Sequence, residues 1–130
     1  MNSVVHFEVP VDNWERAKKF YQDNFGWQIQ DMKGPDGELF YMMSYTADTD
    51  PATFMVKQAG AINGGLFKRG TADSSARIVV QVDSIEDAIK KVEASGGKKL
   101  SGPDPIPNGR YVKFTDSEGN VMGMIDNKKM

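Results

Sequence analysis

Apolar and polar residues alternate over residues 4–9, which predicts a strand with one apolar face. A stripe with the spacing of a helix follows this strand, and Gly26 supplies a stop. Asp12 is the predicted N-cap of that helix, because Glu15 stands three residues later as in a capping box. The aromatic residues of the helix are predicted to belong to the core: Trp14, Phe20, Tyr21 and Phe25.

The same order of features returns 71 residues further along the chain. Residues 77–82 form the second predicted strand, Ser84 is the expected N-cap, and Gly96-Gly97 ends the helix. The second helical stripe consists of Ile85, Ala88, Ile89 and Val92. Two αβ units can look alike merely because such units share a pattern. Since strand, cap, stripe and glycine stop align together, we interpret the chain as a duplication.

Shorter strands are predicted after each helix, which makes each half a βαβββ module. They span 28–32, 39–45 and 61–67 in the first half, and 98–101, 110–115 and 121–126 in the second. A Gly-Pro-Asp triplet at 34–36 and again at 102–104 predicts a turn in each half. We predict one domain over residues 1–130, with module one at about 3–68, a linker at about 69–76 and module two at about 77–127.

Polar side chains occupy one face of both opening strands. His6 and Glu8 oppose the apolar face of the first strand, and Arg77 and Gln81 oppose that of the second. Three residues of a later strand are expected on the same side: Tyr111, Lys113 and Thr115. We predict an α+β fold whose two tandem βαβββ modules curl their sheets around a shared concave pocket. The alternative is a sheet face that is simply solvated.

Composition narrows the classes of function. The 130 residues hold 16 Lys and Arg against 18 Asp and Glu, so no basic face for nucleic acid is expected. The chain has no cysteine and one histidine, which excludes thiolate chemistry and any two-histidine metal site within one chain. No run of 18 apolar residues occurs, so we expect no membrane partner and a cytoplasmic location.

These motifs together resemble the vicinal oxygen chelate superfamily, which includes glyoxalases, extradiol dioxygenases, fosfomycin-resistance enzymes and bleomycin-resistance proteins. The resemblance is carried by residues 5–10, 17–21, 25–27, 64–65, 82–88 and 114–120. The Phe-Gly-Trp at 25–27 and the Gly-Asn-Val-Met-Gly-Met ending at 119–124 resemble the lactoylglutathione-lyase-related subgroup. The resemblance implies paired βαβββ modules around a pocket, and it implies a homodimer.

The metal-dependent members of that superfamily take their ligands from the first and last strand of each module. Carried over by position, these ligands fall on His6, on Gly64 or Gly65, on Arg77 and on Gly123. A divalent metal needs three or four donors, whereas glycine offers no side chain and arginine is a cation. We therefore predict no metal and no cofactor, and we do not expect metal-dependent glyoxalase I activity.

His6 is the candidate general acid and base, because histidine titrates near neutrality, and Glu8 is a candidate for the same role. Arg77 is the predicted anchor for an anionic or carbonyl-bearing metabolite, although an ion pair with Glu8 would also account for it. The other predicted ligand-binding residues are Gln81, Tyr111, Lys113, Trp27 and Tyr41.

Three functions fit these residues. The first is a metal-independent lyase, isomerase or epimerase-like activity on a small oxygenated metabolite. The second is sequestration of a small molecule without chemistry, as in resistance proteins, and the third is a structural dimer with a vestigial pocket. The inward-facing polar residues favour the first two, but they do not separate an enzyme from a binding protein or identify the substrate.

Overall fold

The computed structural model describes residues 1–70 and 75–130, so residues 71–74 of the predicted linker lie outside the description. The elements are β1 (Val4–Val11), α1 (Trp14–Phe25), β2 (Gln28–Lys33), β3 (Leu39–Tyr45), β4 (Asn63–Lys68), β5 (Arg77–Gln81), α2 (Ile85–Ala94), β6 (Lys98–Ile106), β7 (Gly109–Thr115) and β8 (Val121–Asp126). The order βαβββ therefore occurs twice, which confirms the predicted α+β fold with tandem modules. Neither helix of the described chain is long and apolar enough to cross a membrane.

The chain divides into two compact units, which are described separately below. The first unit is His6–Ala76, and the second combines Arg77–Met130 with Met1–Val5. The first five residues thus group with the second unit, where the carbonyl of Ser3 accepts a hydrogen bond of 2.9 Å from the Gln81 amide.

In the first unit the strands lie in the order β2-β3-β4-β1, with β1 parallel to β4 and the other neighbours antiparallel. Leu66 of β4 pairs with Val9 of β1 and with Met42 of β3, which places these three side chains on one face. They pack with α1 around a small buried core. This core comprises Val11, Met42 and Leu66, surrounded by Val9, Trp14, Ala17, Tyr21, Ile29 and Leu39.

Helix α1 departs from the predictions at its start and at two of its aromatic residues. The N-cap is Asn13, whose side chain accepts a bond of 2.9 Å from the Arg16 amide, and not Asp12. Asp12 instead forms an ion pair of 2.9 Å with Arg69. Phe20 and Phe25 are 52% and 61% exposed, so their assignment to the core is wrong. Their rings pack against each other at 6.2 Å and leave much of each ring facing solvent.

The second unit has the strand order β5-β8-β7-β6 and buries one face of its sheet under α2. Its core consists of Val82, Ile85, Ile89, Val112, Phe114 and Met124. Ser84 is the N-cap of α2, as predicted. The turn predicted at 102–104 is wrong, because these residues lie inside β6 at an irregularity of register between Ser101 and Asp104. The turn predicted at 34–36 is confirmed by a 2.9 Å bond from the Gly37 amide to the Gly34 carbonyl.

A buried ion network fastens the start of α2 to β7 and β8. Arg110 is 8% exposed and donates to Asp126 at 3.0 Å and to both carboxylate oxygens of Glu86 at 2.9 Å. Asp126 is 1% exposed and also accepts a 3.0 Å bond from the Ile85 amide in the first turn of α2. The network therefore satisfies charges that would otherwise be costly to bury.

Replacement of Asp126 by alanine is expected to leave Arg110 buried with Glu86 as its remaining carboxylate partner, and to lower the free energy of unfolding by roughly 3 kcal/mol. The hydrogen bonds from Arg110 lower the pKa of Asp126 to about 2, against 3.8 ordinarily. This contribution to stability is complete above about pH 4 and is lost as the pH falls towards 2. Urea titrations at several pH values should show an acid-dependent loss in the parent that is much reduced in Asp126→Asn.

Candidate functional site

The site lies on the face of the first sheet that turns away from α1. Side chains alternate along a strand, so Glu8 and Gly65 face the side opposite to Val9 and Leu66. Glu8 pairs with Gly65 across β1 and β4, and Gly65 pairs with Met43 of β3. Two residues further along their strands, His6 and Tyr41 share this face.

Three of these side chains form a continuous hydrogen-bonded group, which we call the His6–Tyr41–Glu8 cluster. Nε2 of His6 lies 2.8 Å from the hydroxyl oxygen of Tyr41. The same hydroxyl donates to Oε2 of Glu8 over 3.3 Å. Glu8 is 8% exposed, and His6 and Tyr41 are half-buried. The two predicted catalytic residues are thus joined through a tyrosine that was predicted only to bind ligand.

Glycine at position 65 makes this arrangement possible. A Cβ atom at Gly65 would approach the hydroxyl of Tyr41 to less than 3.0 Å, so the tyrosine could not stay in place. A Cβ at Gly64 would collide in the same way with the ring of Phe7 on the opposite face. The packing of Tyr41 and Phe7 against β4 therefore needs two adjacent residues without side chains, one for each face of the sheet.

The second unit contains the same pairing of tyrosine and glycine. A Cβ at Gly123 would lie 2.7 Å from the hydroxyl of Tyr111. Gly123 pairs with Lys113 just as Gly65 pairs with Met43, so Tyr111 is the counterpart of Tyr41. The duplication predicted from the opening strands and helices thus extends to the contact between a tyrosine hydroxyl and a glycine of the neighbouring strand in each unit.

Burial sets the protonation state of His6. Its pKa is lowered from 6.5, because desolvation penalises the imidazolium, and the nearby charge of Glu8 opposes that shift. The imidazole is therefore neutral at neutral pH. In the described chain Nδ1 has no hydrogen-bond partner, since the one side-chain bond of His6 uses Nε2. A neutral imidazole with one nitrogen unused is able to accept a proton.

The other predicted ligand-binding residues are described by their surroundings within their own units. Trp27 is half-buried and stacks on Tyr21 of α1 at 4.8 Å, and its ring lies 5.4 Å from that of Phe7. Four residues are half-buried in the second unit, on strands whose alternate residues pack towards α2: Arg77, Gln81, Tyr111 and Lys113. Gln81 donates to Asn127 at 3.2 Å beside an open cavity of about 400 Å³. The role of all these residues in ligand binding stays a prediction.

The donor set does not fit a divalent metal ion. Among the positions that the resemblance assigns to metal ligands, only His6 has a side chain able to coordinate a metal. Glu8 nearby adds one carboxylate, which already accepts a hydrogen bond from Tyr41. Across residues 1–70 and 75–130 no group of three His, Cys, Asp or Glu side chains is placed to hold an ion. Because a transition metal takes three or four such donors, we derive no step through a metal.

The fold and the site place the chain among proteins built from paired βαβββ modules. It matches the family model of the Glyoxalase/Bleomycin resistance protein/Dioxygenase superfamily over residues 3–123, and it belongs to that superfamily. A glyoxylase-like domain-containing protein of Didymella fabae is 34% identical over 120 residues, covering 88% of this chain and 85% of the relative. The uncharacterized protein YetH of Bacillus subtilis is 24% identical over 115 residues, covering 87% and 88%.

Solved structures share the fold at low sequence identity. A methylmalonyl-CoA epimerase of Streptomyces coelicolor is 14% identical with a TM-score of 0.67, and covers 100% of this chain and 97% of its own. The hypothetical protein BH1468 of Bacillus halodurans is 14% identical with a TM-score of 0.64, and covers 99% and 96%. At this identity the likeness establishes the fold alone.

Gly65→Ala is expected to displace Tyr41 and break its hydrogen bond to His6, because the added methyl group occupies the place of the hydroxyl. The ¹⁵N resonances of the single imidazole should then move towards those of Tyr41→Phe. Gly64→Ala is the matched control: it presses on Phe7 across the sheet and should lower stability by roughly 1–3 kcal/mol while His6 keeps its bond to Tyr41. Unchanged His6 resonances in Gly65→Ala would contradict this account.

His6 is expected to titrate below 6.5 in the folded protein, and its solitary imidazole makes the NMR titration unambiguous. As the pH falls below that value, the His6 imidazole is protonated in the unfolded chain but is still neutral in the folded chain. The His6 contribution to stability is therefore complete above about pH 6.5 and declines on acidification. Urea titrations of His6→Gln should lack this part of the pH dependence, and a folded-state value above 6.5 would refute the prediction.

Proposed function

We propose that this protein is a metal-independent enzyme of the lyase or isomerase type, in which His6 moves a proton on a small oxygenated substrate. The supporting observation is the His6–Tyr41–Glu8 cluster: a neutral imidazole, bonded on one nitrogen only, beside a buried carboxylate. Such an imidazole is a general base at neutral pH, and positioned bases contribute roughly 10²–10⁴-fold to proton transfer.

The chemistry that suits this base is removal of a proton next to a carbonyl group. His6 takes that proton, and its return to another carbon or to the other side of the same carbon completes an isomerisation. Loss of a neighbouring leaving group in place of that return would complete a lyase reaction. Each step needs a base that is neutral before the reaction, which is the state that burial gives His6.

Several finer assignments belong to this proposal. They are membership of the lactoylglutathione-lyase-related subgroup, a homodimeric state and a cytoplasmic location. A reaction of the metal-dependent glyoxalase I type is not part of it, because the described donor set offers His6 and Glu8 alone.

Proton exchange in D₂O tests the proposal directly. The full chain, treated with a chelator, is incubated with a panel of small 2-substituted carbonyl acids, and loss of the α-proton signal is followed by NMR. We expect exchange that persists after chelation and falls by roughly 10²-fold or more in His6→Gln. Tyr45→Phe is the control, since this tyrosine lies on the same strand and bonds to Gln30 at 2.9 Å, outside the cluster.

Two results would count against the enzyme. Saturable thermal stabilisation by a compound that shows no exchange would favour sequestration, the second function that the sequence leaves open. Exchange that disappears on chelation and returns with added metal would show that the donor set is completed in a way the described residues do not provide.

A further inference from the structure

The direction of each hydrogen bond in the cluster follows from the chemistry of its members. The hydroxyl of Tyr41 has one proton, and it lies 2.8 Å from His6 Nε2 and 3.3 Å from Glu8 Oε2. A carboxylate only accepts hydrogen bonds, so Tyr41 donates its proton to Glu8. Nε2 must then donate to the oxygen of Tyr41, and the lone pair of the neutral imidazole resides on Nδ1.

We propose that Tyr41 is a proton relay between His6 and Glu8, and that Nδ1 is the atom of His6 that takes the substrate proton. This inference rests on the proposed function and names the path of the proton within it. It gives the tyrosine a catalytic part in addition to its place in the structure.

The transfer balances in three linked movements. The C–H bond of the substrate breaks, its electron pair stays on the substrate as an enolate, and the proton bonds to Nδ1. The proton on Nε2 passes to the oxygen of Tyr41, whose own proton passes to Oε2 of Glu8. The substrate gains one negative charge, Glu8 loses one, and His6 and Tyr41 end neutral. Reversal of these movements returns a proton to the substrate.

Burial explains why a relay would be favoured here. An imidazolium left on His6 is disfavoured by the same desolvation that keeps the residue neutral. Glu8 is 8% exposed, and its Oε2 lies 3.3 Å from the Tyr41 hydroxyl, where it can receive the proton that the relay passes on. The 2.8 Å bond is already at the distance of a good hydrogen bond, and the 3.3 Å bond would tighten as the proton moves.

The second unit offers an internal comparison. Tyr111 and Gly123 repeat the tyrosine and glycine pair, but Val79 pairs with Gly123 where Glu8 pairs with Gly65. Arg77 stands two residues earlier, at the position of His6. The duplicated tyrosine is thus a feature of both units, whereas Arg77 and Val79 occupy in the second unit the strand positions that His6 and Glu8 occupy in the first.

The solitary histidine allows a test that needs no substrate. In chain labelled with ¹⁵N-histidine, at a pH well above the ordinary value for histidine, we expect the Nε2–H tautomer. Glu8→Gln replaces a group that only accepts with an amide whose NH2 group can donate to Tyr41. The hydroxyl should then donate to Nε2, and His6 should switch to the Nδ1–H tautomer. The same change made in Tyr41→Phe should leave the tautomer as it is in Tyr41→Phe alone.

An Nδ1–H tautomer in the parent chain, or an equal change on Glu8→Gln in both backgrounds, would overturn the relay. Tyr45→Phe is the control for loss of a tyrosine hydroxyl, and backbone ¹H–¹⁵N spectra verify that each variant is folded.

In the exchange assay, Tyr41→Phe should be slower by roughly tenfold or more. If His6→Gln abolishes exchange while Tyr41→Phe exchanges at the parental rate, the proposed function stands and the relay is wrong. If no compound exchanges in any variant, the proposed function is wrong, and the relay then has no catalytic use.

Discussion

The close approach of Tyr41 to strand β4 is the constraint on which the candidate site depends. Neighbouring strands lie about 4.8 Å apart, so a tyrosine side chain that reaches across the next strand needs a residue without Cβ beneath it. Gly65 provides that surface, and Gly64 provides a second one for Phe7 on the face towards α1. Two glycines, which weaken a strand taken alone, here permit aromatic rings to cover it on both sides.

The same constraint changes the chemistry of the family's metal position. The resemblance places a carboxylate ligand of metal-dependent members at Gly64 or Gly65 in this chain. With that side chain missing, the hydroxyl of Tyr41 reaches the space above β4 and bonds to the one remaining ligand residue, His6. The side chain that bonds to His6 is thus a neutral group that both donates and accepts, as the proposed proton transfer requires.

Much of the fold could be predicted because it rests on local patterns. Alternation over residues 4–9 fixes which side of β1 carries His6 and Glu8, and the packing of Val9 against α1 agrees with it. The pairing of Tyr41 with Gly65 could not be predicted, since it depends on the register of strands separated by a long loop. Asp12 and Asn13 are both good capping residues, and only the packing of α1 decides between them. The ion pairs of Arg110 could not be predicted either, because they join strand β7 to Asp126 of β8 and to Glu86 of α2.

Two polar clusters of the described residues differ in what they leave unused. In the second unit Arg110 donates to Asp126 and Glu86, and Asp126 also accepts from the start of α2, so each charge meets partners fixed by the fold. In the first unit the half-buried His6 keeps an unpaired nitrogen beside a buried carboxylate. Among the described residues the fully buried side-chain atom without a partner is Ser44 Oγ, so Nδ1 of His6 is open to solvent or to a ligand. The arginine network therefore contributes stability, whereas the open nitrogen of His6 is the atom that the proposed proton transfer would use.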